Sequence, residues 1–138
     1  MTMLTTRRRG SVEVTAIGLG CMNLSHAYGR PPPADAGRRI LLRALELGVT
    51  HVDCAALYGF GSNESLLGDT LPPYRNRIFL TSKCGMTGVD GKRVIDGRPA
   101  ALKRPAYNLT TRTTMVFDRS THLVSDPRSP IREATLSL

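Results

Sequence analysis

Three side chains are placed where they could share proton-transfer chemistry. Asp53 lies near the end of a short apolar stretch, residues 49–54, that we predict to be a buried strand. Tyr58 follows five residues later in a glycine-flanked loop, and Lys83 comes directly after a second apolar stretch, residues 77–82. A tyrosine hydroxyl can act as a general acid, a neighbouring ammonium lowers its pKa, and a carboxylate keeps that ammonium charged and oriented. Active sites of parallel α/β folds lie at the carboxyl ends of strands, so we expect the three to converge.

Each of these residues also has an ordinary structural interpretation. Asp53 could cap a loop, Tyr58 could be a packed loop tyrosine, and Lys83 could be a solvated surface lysine. The five-residue spacing from Asp53 to Tyr58 and the position of Lys83 behind an apolar strand favour a functional site.

The elements around these residues follow a strand–helix–strand pattern. Residues 34–47 have apolar spacing typical of a helix, and Gly48 is expected to end it. A second helix should run from residue 62 to about residue 71, capped by Ser62 or Asn63 and ended by Pro72-Pro73. The apolar face expected for the first helix comprises Ile40, Leu41, Ala44, Leu45 and Leu47.

The flanking segments are simpler. Residues 11–17 alternate as a strand or hairpin does, and the small apolar residues 16–21 suit a buried strand. Residues 84–104 are glycine-rich and charged, which predicts a loop. Residues 105–138 combine low apolar density with helix breakers, so we predict an irregular, disordered tail.

Composition argues against several classes of partner. The formal net charge is +8, but fifteen of the nineteen Lys and Arg residues are dispersed over residues 1–104, so we expect no nucleic-acid partner. No apolar run reaches 18 residues, so we expect no membrane partner. The three cysteines, Cys21, Cys54 and Cys84, are odd in number and widely spaced, which suits reduced thiols in a cytoplasmic protein without a metal site.

The pattern D-x-A-x-x-Y-G-x-G-x-N-E-x-x-L-G, residues 53–68, resembles the second strand–loop–helix unit of the aldo-keto reductases. The segments GLGCM (18–22), ALELGV (44–49) and IFLTSK (78–83) resemble neighbouring parts of that family in the same order. The resemblance covers residues 11–104 and implies an α/β fold: the first three units of a (β/α)8 barrel, preceded by a β-hairpin. It also implies NADPH-dependent reduction of small aldehydes or ketones.

The resemblance assigns roles to particular residues. Tyr58 would be the proton donor, Lys83 the partner that lowers its pKa, and Asp53 the partner of Lys83. The cofactor-binding residues would be Gly20, Cys21, Met22 and Asp53. The family also uses a histidine that orients the substrate oxygen, and we assign that role to none of His26, His51 and His122.

A complete barrel of this type needs about 250 residues, and this chain has 138. Because the resemblance stops near Arg104, we expect a truncation or frameshift product with weak or no activity alone, and self-association through the open edge of the sheet. The alternatives are a non-catalytic, NADPH-binding regulatory subunit and a fragment that completes a barrel with another chain.

Overall fold

The computed structural model describes residues 4–9, 12–26, 28–83, 85–96 and 98. The family resemblance also implies a third helix that begins near residue 99; this helix and the predicted tail, residues 105–138, lie outside these ranges. The described elements are strands β1 (Thr6–Arg9), β2 (Val12–Thr15) and β3 (Leu19–Gly20), helix α1 (Ala34–Glu46), strand β4 (His51–Asp53), helix α2 (Ser62–Thr70), and strands β5 (Phe79–Thr81), β6 (Met86–Val89) and β7 (Lys92–Ile95).

The centre of the fold is a parallel three-stranded sheet in the order β3-β4-β5. Helix α1 connects β3 to β4, and α2 connects β4 to β5, which is the predicted alternation of strand and helix. The register places Gly20, Asp53 and Thr81 side by side at the carboxyl ends of the three strands. The described residues therefore contain an open α/β sheet, and within them the sheet does not close into a barrel.

Helix α1 ends as predicted at a glycine. Gly48 has a φ of +90°, and its N–H donates to the carbonyl of Leu45 while the N–H of Val49 donates to that of Ala44. This paired return of hydrogen bonds satisfies the last carbonyls of the helix. Leu41 is buried as expected, but the prediction was wrong for the two outer positions of the face, Ile40 (44% exposed) and Leu47 (53% exposed). Ile40 is not among the buried residues of α1, and Leu47 lies one residue beyond its end.

Helix α2 begins differently from the prediction. Gly61 precedes its first residue, and no side chain caps it, so the predicted cap by Ser62 or Asn63 was wrong. Asn63 already lies in the first turn, and its amide nitrogen donates 2.8 Å to the carbonyl of Cys21 instead. The end of the helix was predicted correctly, since Thr70 is the last helical residue and Pro72 follows in a 3₁₀ turn, Pro72–Arg77.

Apolar side chains from the sheet and from both helices form one core. Helix α1 contributes Leu41 and Leu45, helix α2 contributes Leu66 and Leu67, and strands β4 and β5 contribute Val52 and Leu80. Burial of these side chains is the main favourable contribution to folding. Because side chains alternate along a strand, Asp53 and Thr81 lie on the face of the sheet opposite Val52 and Leu80. The remaining core members are Cys21, Leu24, Cys54, Leu71 and Ile78.

Two hairpins flank the sheet. The first, β1–β2, is antiparallel as predicted, and it is tied to the approach of β4 by reciprocal bonds between Thr15 and Thr50 of 3.0 and 3.1 Å. The second, β6–β7, corrects the prediction of a loop over residues 84–104 at residues 86–95, where the structure has two paired strands. Its turn is Asp90-Gly91, with φ of +48° and +73°. Asp-Gly is the pair that two-residue hairpin turns favour, so the sequence carried a signal that the loop prediction missed.

None of the helices within the described ranges is long and apolar enough to cross a membrane.

Candidate functional site

The three predicted catalytic residues come together. Asp53 is the last residue of β4, Lys83 follows β5 by two residues, and Tyr58 begins the 3₁₀ turn Tyr58–Gly61. Lys83 Nζ donates to Asp53 Oδ1 in an ion pair and to the carbonyl of Cys54 at 3.1 Å. The same nitrogen lies 5.1 Å from the centre of the Tyr58 ring. A carboxylate, an ammonium group and a phenol therefore lie together, and the ammonium group is close to both of the others.

The ion pair is partly buried, with side chains that are 23% exposed for Lys83 and 36% for Asp53. Burial by itself would lower the pKa of Lys83. The hydrogen bond and charge of Asp53 outweigh that effect, and the hydroxyl of Tyr58 adds to them, so the pKa of Lys83 is raised above its ordinary value. Lys83 therefore keeps its positive charge beside Tyr58 at neutral pH.

The backbone after Tyr58 is tightly constrained. Gly59 and Phe60 both have positive φ, +59° and +52°. A Cβ on Gly59 would lie 2.1 Å from Ser62 Oγ and 2.7 Å from the carbonyl oxygen of Ser25. Left-handed backbone at a non-glycine residue is uncommon and is often found at functional sites. This conformation fixes where the loop presents the Tyr58 ring.

Thr81 is a site residue that the sequence analysis missed. Its hydroxyl donates to Asp53 Oδ2 at 2.8 Å, so both carboxylate oxygens of Asp53 have partners. Thr81 lies opposite Asp53 in the parallel register. Its position two residues before Lys83, on the same strand face, was a signal available in the sequence.

His26 also lies at the site, although the sequence analysis gave it no role. Its ring is nearly parallel to that of Tyr58, with centres 6.4 Å apart and an interplanar angle of 11°. Phe60 meets the same imidazole edge-on at 6.4 Å. Arg93 of the β6–β7 hairpin reaches His26 Nε2 at 3.4 Å. The hairpin and the loop after β3 thus meet beside Tyr58, a contact between segments 67 residues apart.

The residues predicted to bind the cofactor differ in how accessible they are. Gly20 lies opposite Asp53, and a Cβ built on it would meet nothing within 4 Å, so there is open space beside the carboxylate. Cys21 is fully buried; its N–H donates to the Asp53 carbonyl and its own carbonyl accepts from Asn63. Met22 is partly buried in the 3₁₀ turn Met22–Leu24. Gly20 thus has open space where its side chain would lie, whereas Cys21 is 0% exposed and cannot contact a cofactor through its side chain.

A second carboxyl lies behind the site. Glu64 of α2 is 1% exposed, and its Oε1 accepts a hydrogen bond of 3.2 Å from Ser82, the residue before Lys83. Burial raises the pKa of Glu64, and the bond from Ser82 offsets only part of that rise. Glu64 therefore links α2 to the strand end that carries Lys83.

The two cysteines in the described ranges are buried free thiols. Burial raises the pKa of Cys54 to about 12 and also raises the pKa of Cys21. Thiols with raised pKa react slowly because the thiolate is the nucleophile. Cys84 lies outside the described residues.

Known proteins share sequence with most of this chain. The sequence profile of the Aldo/keto reductase family matches residues 16–108. An aldo-keto reductase of Gibberella moniliformis is 31% identical over 99% of this chain and 42% of its own length. That alignment extends past residue 104, where the sequence analysis found no further resemblance. The aldo-keto reductase yakc [NADP(+)] of Schizosaccharomyces pombe is 42% identical over 58% of this chain and 24% of its own length.

A solved structure is similar as well. The holo form of an aldo-keto reductase from Bacillus halodurans superposes with a TM-score of 0.67 at 31% identity, over 78% of this chain and 37% of that one. The chain thus spans less than half the length of each of the three relatives.

Proposed function

Because this chain belongs to the aldo/keto reductase family, we propose that it carries the proton-donating part of an NADPH-dependent oxidoreductase site that reduces small aldehydes and ketones to alcohols. One observation carries the proposal: the Lys83 ammonium is held by Asp53 and lies 5.1 Å from the centre of the Tyr58 ring. A phenol beside a fixed positive charge suits the delivery of a proton to a carbonyl oxygen as it becomes negative.

We assign the roles that the family resemblance implies, and the contacts support them. Tyr58 donates its hydroxyl proton to the substrate oxygen. Lys83 stabilises the negative charge that develops on the phenol oxygen, and Asp53 keeps Lys83 charged and in place. The cofactor, when bound, supplies the hydride. Gly20 and Met22 would line its place beside Asp53, where the space next to Gly20 is open.

Support for NADPH as the cofactor comes from the relatives. The Schizosaccharomyces pombe protein is named for NADP(+), and the Bacillus halodurans structure is a holo form. We extend the same cofactor to this chain because the family profile matches residues 16–108, which include Asp53, Tyr58 and Lys83.

The test is NADPH-dependent turnover by the purified chain, followed by NADPH fluorescence with a small aldehyde as substrate. Tyr58→Phe should lower turnover by about 100-fold or more, since general acids contribute about 10²–10⁴-fold. The matched control is Tyr28→Phe, because Tyr28 is 83% exposed; it should retain wild-type turnover. Turnover that survives in Tyr58→Phe would contradict the proposal.

The same assay distinguishes the proposed enzyme from a non-catalytic, NADPH-binding protein. Saturable NADPH binding without turnover in the wild-type chain would favour the non-catalytic, NADPH-binding function. Neither binding nor turnover would reject both functions for the chain alone and leave the fragment that completes a barrel with another chain.

We also propose that copies of the chain self-associate, and that it acts in the cytoplasm. The outer strands β3 and β5 each pair on one side only among the described strands, and such edges favour pairing with another chain. Sedimentation velocity over a range of concentrations tests self-association, and a constant monomer would contradict it.

A further inference from the structure

Asp53 is restrained at both carboxylate oxygens by neighbours on the adjacent strand end. Lys83 Nζ donates to Oδ1, and Thr81 Oγ1 donates to Oδ2 at 2.8 Å. The last torsion of an aspartate side chain is soft, so a single contact would leave the carboxylate free to rotate. The side chain is 36% exposed, so water also competes for its oxygens. The contact from Thr81 therefore fixes the plane of the carboxylate while Lys83 holds its other oxygen.

The hydroxyl of Thr81 has one hydrogen and two acceptors within reach. Asp53 Oδ2 is at 2.8 Å, and the carbonyl oxygen of Val52 is at 3.3 Å. The shorter bond to the ionised group is the stronger one, so the hydrogen points to Asp53. Thr81 itself is 4% exposed, which shields this bond from solvent.

His51 lies on the other side of the same hydroxyl. Its Nε2 is 3.3 Å from Thr81 Oγ1. Since the hydroxyl hydrogen is used toward Asp53, Oγ1 can only accept from His51, and Nε2 must carry a hydrogen. The imidazole is also packed at 5.7 Å from the ring of Phe79, its neighbour in the register. Hydrogen bonds are thus donated from His51 to Thr81 and from Thr81 to Asp53.

From these contacts we infer that Thr81 is a positioning residue: its hydroxyl, oriented by His51, holds one oxygen of Asp53 so that the other receives Lys83. The inference rests on the proposed function, because the Asp53–Lys83 pair is the one proposed to support Tyr58. Thr81 acts only through Asp53 and touches no reacting atom in this arrangement.

The test measures Lys83 directly and uses neither cofactor nor substrate. The chain has three lysines, Lys83, Lys92 and Lys103, so the ¹³Cε signals of labelled lysine can be assigned with a Lys83→Arg variant. Thr81→Val keeps the shape of the side chain and removes the hydroxyl, and Thr81→Ser keeps the hydroxyl. The pKa of Lys83 should fall in Thr81→Val and stay at the wild-type value in Thr81→Ser. An unchanged pKa in a folded Thr81→Val variant would overturn the inference.

A second measurement serves if Thr81→Val does not fold. In the wild-type chain, the ¹⁵N shifts of His51 should show a hydrogen on Nε2 at a pH where the imidazole is neutral. An Nε2 without a hydrogen would overturn the inference. Failure of the proposed function is distinct, since it would appear as absent turnover while the shifts of Lys83 and His51 remained as expected.

Discussion

Lys83 Nζ lies 5.1 Å from the centre of the Tyr58 ring while it is bonded to Asp53. Tyr58 and Lys83 are 25 positions apart in the sequence, and they meet because β4 and β5 are adjacent and parallel. The loop after β4 and the residues after β5 therefore leave the sheet at the same edge. The closeness of the proposed proton donor to its cationic neighbour is therefore a consequence of strand order.

Replacement of Lys83 by Met should remove the positive charge beside Tyr58 and leave Asp53 without its cation. We expect turnover with NADPH to fall by about 100-fold, in the range that one preorganised charge-stabilising group contributes. The matched control is Lys92→Met on the exposed hairpin strand β7, which should retain wild-type turnover. Equal losses in the two variants would show that the position of Lys83 has no special importance.

Replacement of Glu64 by Gln should change how stability depends on pH. Burial raises the pKa of Glu64 above the ordinary glutamate value of 4.5. The folded state therefore holds this proton more tightly than the unfolded state, and Glu64 makes stability fall as pH rises from 4.5 through the raised value. Gln cannot ionise and still offers an oxygen to Ser82, so thermal unfolding of the variant should lose that decline.

The control for Glu64→Gln is Glu46→Gln, since Glu46 is an exposed residue whose side chain is 63% accessible. Melting temperatures of both variants and of the wild-type chain should be compared from pH 4.5 upward. A Glu64→Gln variant with the same pH slope as the wild-type chain would contradict the assignment of a raised pKa.

Cys21 and Cys54 should resist alkylation in the folded chain. Both thiols are 0% exposed, and burial raises the pKa of each. In a Cys84→Ser background, iodoacetamide at neutral pH should label neither cysteine until denaturant is added, as read by mass spectrometry. Labelling at the rate of a free thiol without denaturant would mean that this part of the core opens readily.

Truncation of a leucine should cost more stability at a buried position than at an exposed one. Leu67 is 1% exposed, and Leu67→Ala should reduce the free energy of unfolding by about 3 kcal/mol. Leu47 is 53% exposed, so Leu47→Ala should change it by about 0.5 kcal/mol or less. Denaturant titrations measure both values. Equal effects would show that the sequence interpretation of Leu47 as a core residue was right after all.

Local pattern was sufficient for both helices and the central strands and singled out the three proposed catalytic residues, but it missed the β6–β7 hairpin. The helix over 34–46, its end at Gly48 and the two strands that carry Asp53 and Lys83 all followed from apolar spacing and from backbone preferences. These signals are local, because each depends on neighbours within a few residues along the chain. They do not say which side chains from distant segments touch.

Tertiary structure decided the rest. The bond from Thr81 to Asp53 spans 28 positions, the contact from Arg93 to His26 spans 67, and that from Asn63 to Cys21 spans 42. The partner of a polar side chain depends on which groups the assembled sheet and loops bring near it. Asn63 therefore bonds a carbonyl on another loop and does not cap the helix as predicted. The sequence by itself determined the residues capable of chemistry and the strands that carry them. Only the packing of those strands determined how the Asp53 carboxylate is oriented toward Lys83, because that orientation depends on a hydroxyl from the neighbouring strand.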